Sequence, residues 1–191
     1  MESRSPVPTS RKYREKRPPK PLEPARLNDL ALAYVARFAT SAAKLETYLK
    51  RKLRERGWSG EREPDLRALV TRFVEAGYID DTAYARAKSG SLLRRGYGQR
   101  RIGQALGAAG IAEEVREEVK AGAVEQRAAA LALAKKRRFG PYGSAELDRA
   151  GREKQLSAML RAGHPLDSAR VLVNAASVEA AEDWAAAAGD E

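Results

Sequence analysis

Four arginines lie within eight residues near the middle of the chain, in the run Arg94-Arg95-Gly96-Tyr97-Gly98-Gln99-Arg100-Arg101. The two glycines predict a turn with Tyr97 at its tip and the guanidinium groups gathered around it. Guanidinium groups bind phosphate bidentately, and a tyrosine ring can stack on a base. The run therefore predicts a contact with a nucleic acid or an acidic protein surface. The alternative is that Tyr97 folds back onto its own helices and meets no partner.

Two further basic runs accompany this one. The first lies on one predicted helix, spreads over more than one of its faces, and consists of Lys50, Arg51, Lys52 and Arg54. The second closes a predicted helix and consists of Lys135, Lys136, Arg137 and Arg138. It takes the place in its repeat that Arg94-Arg95 takes in the preceding one, which would line the charges along one side of a repeat protein. Such a side suits a polyanion or an acidic protein groove, and the alternative is a solvated basic surface.

Residues that could support catalysis are few. The chain of 191 residues has no Cys and a single His, His164, which excludes thiolate metal sites, Cys nucleophiles and His–His metal pairs. Gly96-Tyr97-Gly98 lacks the third glycine and the preceding strand of a dinucleotide-binding loop. Asp80-Asp81 stands at a predicted helix start, where carboxylates cap the helix. We therefore expect that the protein is not an enzyme and has no catalytic residue, metal or cofactor.

Charge is distributed unevenly along the chain. Lys and Arg number 36 and Asp and Glu 26, for a formal net charge of +10. The net charge is +5 over residues 1–26, +9 over residues 27–138 and −4 over residues 139–191. This basic body predicts an anionic partner along most of the length. No run approaches the roughly 18 apolar residues of a membrane span, and the N-terminus lacks a signal-peptide pattern, so we expect a soluble cytoplasmic protein without a membrane partner.

The elements that must position these charges are helices. Ala, Leu, Arg, Glu and Lys dominate the composition, whereas the β-branched residues Ile and Val are few. An apolar residue recurs four positions before a glycine that ends a predicted helix, and the three pairs are spaced by 53 residues: Leu53 and Gly57, Leu106 and Gly110, Met159 and Gly163. In the third helix the residues predicted to face inward are Leu66, Leu69, Val70, Phe73 and Val74. The register predicts three tandem three-helix modules with a period near 50 residues.

The predicted fold is therefore all-α, an elongated array of three tandem three-helix modules behind a disordered basic tail. The tail covers residues 1–24, which contain six prolines and no apolar periodicity. The modules cover residues 25–78, 79–123 and 124–176. Residues 177–191 are predicted to form an acidic, Ala-rich tail or helix extension. We expect a monomer.

Several of these residues resemble a known family, the RecX regulatory proteins that modulate the RecA recombinase. The segments that carry the resemblance are Gly77-Tyr78-Ile79-Asp80-Asp81 with Tyr84-Ala85-Arg86, Arg94-Arg95-Gly96-Tyr97-Gly98 with Arg101-Ile102, Leu106 and Gly110-Ile111, residues 45–57, and Arg152-Glu153-Lys154 with Leu160 and Gly163. The resemblance covers about residues 27–175. The chain departs from the family pattern at His164, where the family usually has an aromatic residue, and at the insertion-like stretch Gly140-Pro141-Tyr142-Gly143.

The resemblance implies an elongated and curved helical protein that lies in the groove of the RecA–single-stranded DNA filament. There it would inhibit strand exchange and ATP hydrolysis, by blocking filament growth or promoting disassembly, without an activity or cofactor of its own. The implied context is recombination control, DNA repair and the SOS response. The implied partners are the RecA filament and single-stranded DNA, with double-stranded DNA as a further candidate.

Two other classes of protein fit parts of the pattern. A helix–turn–helix DNA-binding regulator also pairs short helices around a Gly turn, but it needs one recognition helix rich in base-reading side chains. A basic helical RNA- or ribosome-associated protein is favoured by the N-terminal tail. Sequence-specific footprinting would favour the first, and co-sedimentation with ribosomes the second.

Overall fold

The computed structural model describes residues 20–144 and 148–187, and within these ranges it consists of ten α-helices joined by short turns. Most of the predicted tail and the last four residues lie outside the described residues. The helices, in chain order, are α1 (Pro24–Arg37), α2 (Ala42–Arg56), α3 (Leu66–Glu75), α4 (Asp81–Arg94), α5 (Gln99–Gly107), α6 (Glu113–Glu118), α7 (Ala123–Arg137), α8 (Arg149–Ala162), α9 (Leu166–Val173) and α10 (Val178–Ala186). A short 3-10 helix, Gly140–Tyr142, occupies the insertion-like stretch before α8. The all-helical fold class predicted from the composition is confirmed.

Side chains cap five of the ten α-helices that the structure describes. Ser41, Asp65, Asp80, Asp148 and Ser177 each accept a hydrogen bond from a backbone N–H in the first turn of the helix that follows. These bonds satisfy donors that the helix itself leaves unpaired. Asp80 accepts from the Ala83 N–H at 2.8 Å, as its position before the α4 pattern predicts.

The buried apolar residues form three clusters, and each cluster is built from a continuous part of the chain. We call the corresponding helices the first group (α1–α3), the second group (α4–α6) and the third group (α7–α10). Leu45 and Leu49 centre the first cluster, Ile102 and Leu106 the second, and Met159 the third. Each group thus buries its own apolar face, as expected for tandem repeats. The module boundaries given above remain predictions.

The two ends of the described chain are more ordered than a tail would be. Leu22 is fully buried in the first cluster, and its N–H and C=O bond to Gly57 O and Ser59 N at 2.9 Å each. Residues 20–24, which the sequence assigned to the tail, are therefore tied to the end of α2. At the other end, α10 is a separate helix that packs on α7 and buries Ala181 and Ala185.

Two details of the sequence-based prediction are wrong. Val74, predicted to face inward, is 44% exposed. The other four residues predicted inward on α3 are buried, namely Leu66, Leu69, Val70 and Phe73. Gly57 is predicted to end its helix, and a glycine at such a stop is expected in the left-handed helical region, but its φ of +78° and ψ of 177° lie outside that region. Gly163, with φ +98° and ψ 12°, adopts that left-handed conformation.

Candidate binding cleft between the second and third helix groups

The turn at Gly96–Gly98 is a contact between two helix groups. The Gly98 N–H donates to Ala162 O at 2.9 Å, and the Arg100 N–H donates to Gly163 O at 3.3 Å. A Cβ atom on Gly98 would stand 2.4 Å from the Gly163 carbonyl, closer than atoms can approach. Glycine at this position therefore lets the N-terminus of α5 lie against the C-terminus of α8.

His164 belongs to the same contact between the second and third helix groups. The side chain is 4% exposed, and its Nε2 donates to Gly96 O at 3.0 Å. Burial lowers the pKa of His164, and the hydrogen bond to Gly96 offsets this only in part. The imidazole is thus a neutral, buried part of the packing between the groups.

A cleft of about 600 Å³ opens beside this contact. Its basic lining residues come from the α4–α5 turn, α5, α7 and α8, and are Arg95, Arg101, Lys136, Arg137 and Arg161. Two aromatic residues, Tyr97 and Phe139, also line it, together with Leu133, Ala158 and Ala162. We call this the basic cleft.

The five cations of the basic cleft have no acidic counterpart. No carboxylate belongs to its lining, and within the described part of the chain none lies within 4.0 Å of any of the five. Like charges gathered in a concave site create a positive potential that attracts anions. Four of the five are arginines, namely Arg95, Arg101, Arg137 and Arg161, and arginines bind phosphate or carboxylate bidentately.

The Tyr97 ring lies between its own helix group and the basic cleft. Its ring packs against the second cluster, so part of it folds back onto its own helix group. The remaining part lines the basic cleft, and the Arg95 guanidinium lies over the ring at 5.5 Å from its centroid. A cation held over an aromatic face is positioned without an acidic partner.

Other residues of the predicted site lie outside this cleft. Arg94 is exposed at the end of α4, and the Arg100 guanidinium donates to Leu160 O at the end of α8, which satisfies a helix carbonyl. Lys135 pairs with Glu182 of α10 at 2.7 Å, and this hydrogen bond raises the pKa of Lys135. Arg138 has a left-handed backbone and ends α7.

The basic run of α2 differs from the cleft in its partners. Lys50 pairs with Glu46 at 2.6 Å, Arg51 with Glu55 at 3.3 Å, and Lys52 with Glu55 at 2.7 Å. The hydrogen bond from Lys52 lowers the pKa of Glu55. Arg54 is exposed and lies outside the basic cleft. These charges form a surface network along one helix.

Sequence reasoning missed Arg161 and Phe139. Arg161 stands two residues before Gly163, inside the very segment that carries the repeat register, and Phe139 directly follows the basic run that ends α7. Both signals are local, but only the packing of α8 against α5 brings Arg161 to Arg95 and Arg101.

The described residues offer little for other kinds of site. In residues 20–144 and 148–187, no three His, Asp or Glu side chains are grouped to hold a metal ion. Among the same residues, no helix combines the length and the apolar character needed to cross a membrane.

Comparison with known proteins agrees with this architecture. The family model of the second three-helix domain of RecX matches residues 80–119, which contain α4, α5 and α6. The regulatory protein RecX of Myxococcus xanthus is 31% identical over 176 residues, which cover 87% of this chain and 94% of that protein. The chain belongs to the RecX family. The regulatory protein RecX of Thermus thermophilus is 40% identical over 89 residues, which cover 47% of this chain and 59% of that protein.

A solved RecX structure shares the fold. The crystal structure of RecX from Lactobacillus salivarius superposes with a TM-score of 0.62 at 18% identity, covering 78% of this chain and 93% of that one. The helical RecX architecture is thus kept where most side chains differ.

Proposed function

We propose that this RecX-family chain is a non-enzymatic negative regulator of the RecA recombinase. It binds the groove of the RecA–single-stranded DNA filament and inhibits ATP hydrolysis and strand exchange. The basic cleft is the part of its surface that meets the filament, either at DNA phosphates or at acidic side chains of the recombinase.

The observation that carries this proposal is the acid-free cleft itself. Five cations from four segments converge there without an acidic residue in the lining, although the chain has 26 Asp and Glu residues. Ion pairs would be the simplest way to relieve the repulsion among them, as Lys50, Arg51 and Lys52 illustrate on α2. A site left without them suits an external anion, and a RecA–DNA filament supplies anions on both of its components.

The helix–turn–helix alternative is less well supported by the geometry. Such proteins insert the N-terminal residues of a recognition helix into the major groove. The N-terminus of α5, the second helix of its group, is instead held against Ala162 and Gly163. No observation favours the RNA- or ribosome-associated alternative over the filament.

The test is an ATPase assay of the host RecA recombinase on single-stranded DNA, with the full chain titrated in. The variant to compare is Arg95→Ala with Arg101→Ala and Arg161→Ala, which removes three cleft cations and leaves Arg100 in place. We expect the half-inhibitory concentration to rise at least about tenfold, since a charge-assisted hydrogen bond contributes about 1.5–3 kcal/mol.

The matched control removes the same charge elsewhere. Arg152→Ala with Lys154→Ala and Arg170→Ala changes exposed residues of α8 and α9 that do not line the cleft. We expect it to inhibit as the parent does. A folded cleft variant that inhibits as well as this control would overturn the proposal.

Salt dependence separates the two filament components. If the three arginines contact phosphates, the log–log salt slope of single-stranded DNA binding should flatten by at most about 2.1, at roughly 0.7 per lost contact. If they contact acidic groups of the recombinase, DNA binding should stay unchanged while inhibition is lost.

A further inference from the structure

The first helix group carries a cluster of aromatic rings that the basic cleft does not include. Tyr34 and Tyr48 stack with centroids 4.2 Å apart and an interplanar angle of 18°. Phe38 adds a third ring, tilted by 50° and 5.3 Å from Tyr34. We call these three residues the aromatic platform. Phe38 is 53% exposed, so about half of the residue is open to solvent.

Cations surround the platform. The Arg37 guanidinium lies 5.7 Å from the Phe38 centroid, and the Arg51 guanidinium 5.6 Å from the Tyr48 centroid. A cleft of about 380 Å³ adjoins it between α2 and the end of α5, lined by Tyr34, Lys44, Tyr48 and Arg51 but by no acidic residue. Aromatic rings interleaved with cations are the composition of surfaces that bind single-stranded nucleic acids.

We propose that the aromatic platform stacks an unpaired base of a single-stranded nucleic acid on Phe38, with the sugar–phosphate chain running past Lys44 and Arg51. The proposal rests on the proposed function in that it names the part of the filament's DNA held by the first helix group.

The aromatic platform and the basic cleft offer a partner different interactions. Arg51 is paired with Glu55, and Lys44 donates to the Tyr84 hydroxyl at 3.3 Å, so fewer cations are free here than in the basic cleft. The open ring is the stronger feature, and a base–aromatic stack does not depend on charge. Bases in a duplex already stack on their neighbours, so Phe38 selects single strands over duplex.

The test uses the full chain without any recombinase. Binding of a labelled oligothymidylate is measured by fluorescence anisotropy beside two ligands of equal phosphate number, an abasic oligonucleotide and a hairpin duplex. Phe38→Ala should weaken oligothymidylate binding about five- to 150-fold, the range for one base stacked on one ring. Affinity for the abasic strand and the duplex should not change, and the salt slope should stay the same because no phosphate contact is lost.

Three further variants sharpen the result. Phe38→Trp keeps a π face and should retain binding, whereas Phe38→Leu keeps apolar bulk only and should lose it. Tyr78→Ala is the matched control, because Tyr78 is an aromatic residue of the same group, 59% exposed and away from the platform beside Phe73. It should bind all three ligands as the parent does.

Several outcomes would overturn the platform. They are unchanged oligothymidylate binding by Phe38→Ala, an equal loss on all three ligands, and full binding by Phe38→Leu. If Phe38→Ala binds oligothymidylate as the parent does but loses inhibition in the separate ATPase assay, Phe38 contacts the recombinase instead. Because this assay contains no recombinase, failure of the platform is distinct from failure of the proposed regulatory function, which the cleft variant tests.

Discussion

The two contacts between neighbouring helix groups place equivalent elements together but use different atoms. In both, the N-cap of a group's second helix meets the residue before the stop glycine of the next group's second helix. Ser41, which precedes α2, donates through its hydroxyl to Ala109 O at 2.5 Å. Gly98, which precedes α5, donates through its backbone N–H to Ala162 O at 2.9 Å. The equivalent hydrogen bond is thus donated by a side chain in the first contact and by the main chain in the second.

The first contact is carried by polar side chains. Ser41 is fully buried and also accepts from the Lys44 N–H, while Asp81 of α4 accepts from the Ala42 N–H at 2.9 Å. Asp81 therefore caps a helix of the neighbouring group, and Asp80 caps its own. The adjacent aspartates, predicted to cap a helix, cap two.

The second contact leaves no room for side chains between the backbones. Gly98 and Gly163 touch directly, and the buried His164 ring fills the remaining space beside Gly96. A repeated contact between helix groups thus keeps its partners when its hydrogen-bond donor moves from a side chain to the main chain. The basic cleft lies beside the main-chain version.

The largest expected loss of stability comes from adding a side chain at Gly98, in the contact between the second and third helix groups. Gly98→Val places a Cβ 2.4 Å from the Gly163 carbonyl, and two main chains cannot yield as a flexible side chain can. We expect the free energy of unfolding to fall by about 3 kcal/mol, at the upper end of overpacking effects, measured by urea denaturation. Gly103→Ala is the control on the same helix, because a Cβ there meets nothing within 4 Å. That variant should be more stable by about 0.5–1 kcal/mol.

In the side-chain contact, Ser41→Ala removes a helix cap and leaves Ala109 O without this donor. We expect a loss of about 1–2 kcal/mol, less than at Gly98, because no atoms collide. Thermal melting beside Thr47→Ala, which removes an exposed hydroxyl from the same helix, provides the comparison. Equal melting temperatures for Ser41→Ala and the parent would contradict the role assigned to this contact.

The His164 ring makes the second contact dependent on pH. Its pKa is lowered in the folded state, so the folded chain binds fewer protons than the unfolded chain near the ordinary His value of about 6.5. Its contribution to stability is present above that value and is lost as pH falls through the lowered folded pKa. The fall in unfolding free energy between pH 7.5 and pH 5.5 should shrink in His164→Gln, whose amide can still donate to Gly96 O. An identical fall in parent and variant would show that the ring does not titrate in this window.

The smallest loss of stability is expected at the part-buried rim of the first contact, where Lys44 and Tyr84 meet. Tyr84→Phe removes only the hydroxyl that accepts from Lys44 Nζ at 3.3 Å and keeps the ring in the second cluster. We expect a change of no more than about 0.5 kcal/mol, because a long bond at a half-buried site adds little over water. A loss as large as that of Ser41→Ala would mean that the rim, and not the buried serine, holds the first contact.

Much of the fold is local, and the sequence predicts it for that reason. The Asp80 cap and the helix stops at Gly110 and Gly163 depend on residues within one helical turn. The candidate site is predictable only in part. The sequence predicts Arg95, Tyr97, Arg101, Lys136 and Arg137 as partner-binding residues. All five line the basic cleft, and their contact with filament or DNA remains a proposal.

By itself, the sequence determined the helices, their caps and the repeat, because backbone hydrogen bonding and apolar periodicity act over a few residues. Tertiary structure decided which cations stay free. Lys135 is paired by Glu182, 47 positions away, and Arg100 by Leu160 O, whereas Arg161 is brought to Arg95 and Arg101. Charge in a basic run is a property of composition, but its availability depends on which helix end packs beside it. That packing is set by contacts such as Gly98 against Gly163, whose partners lie 65 residues apart.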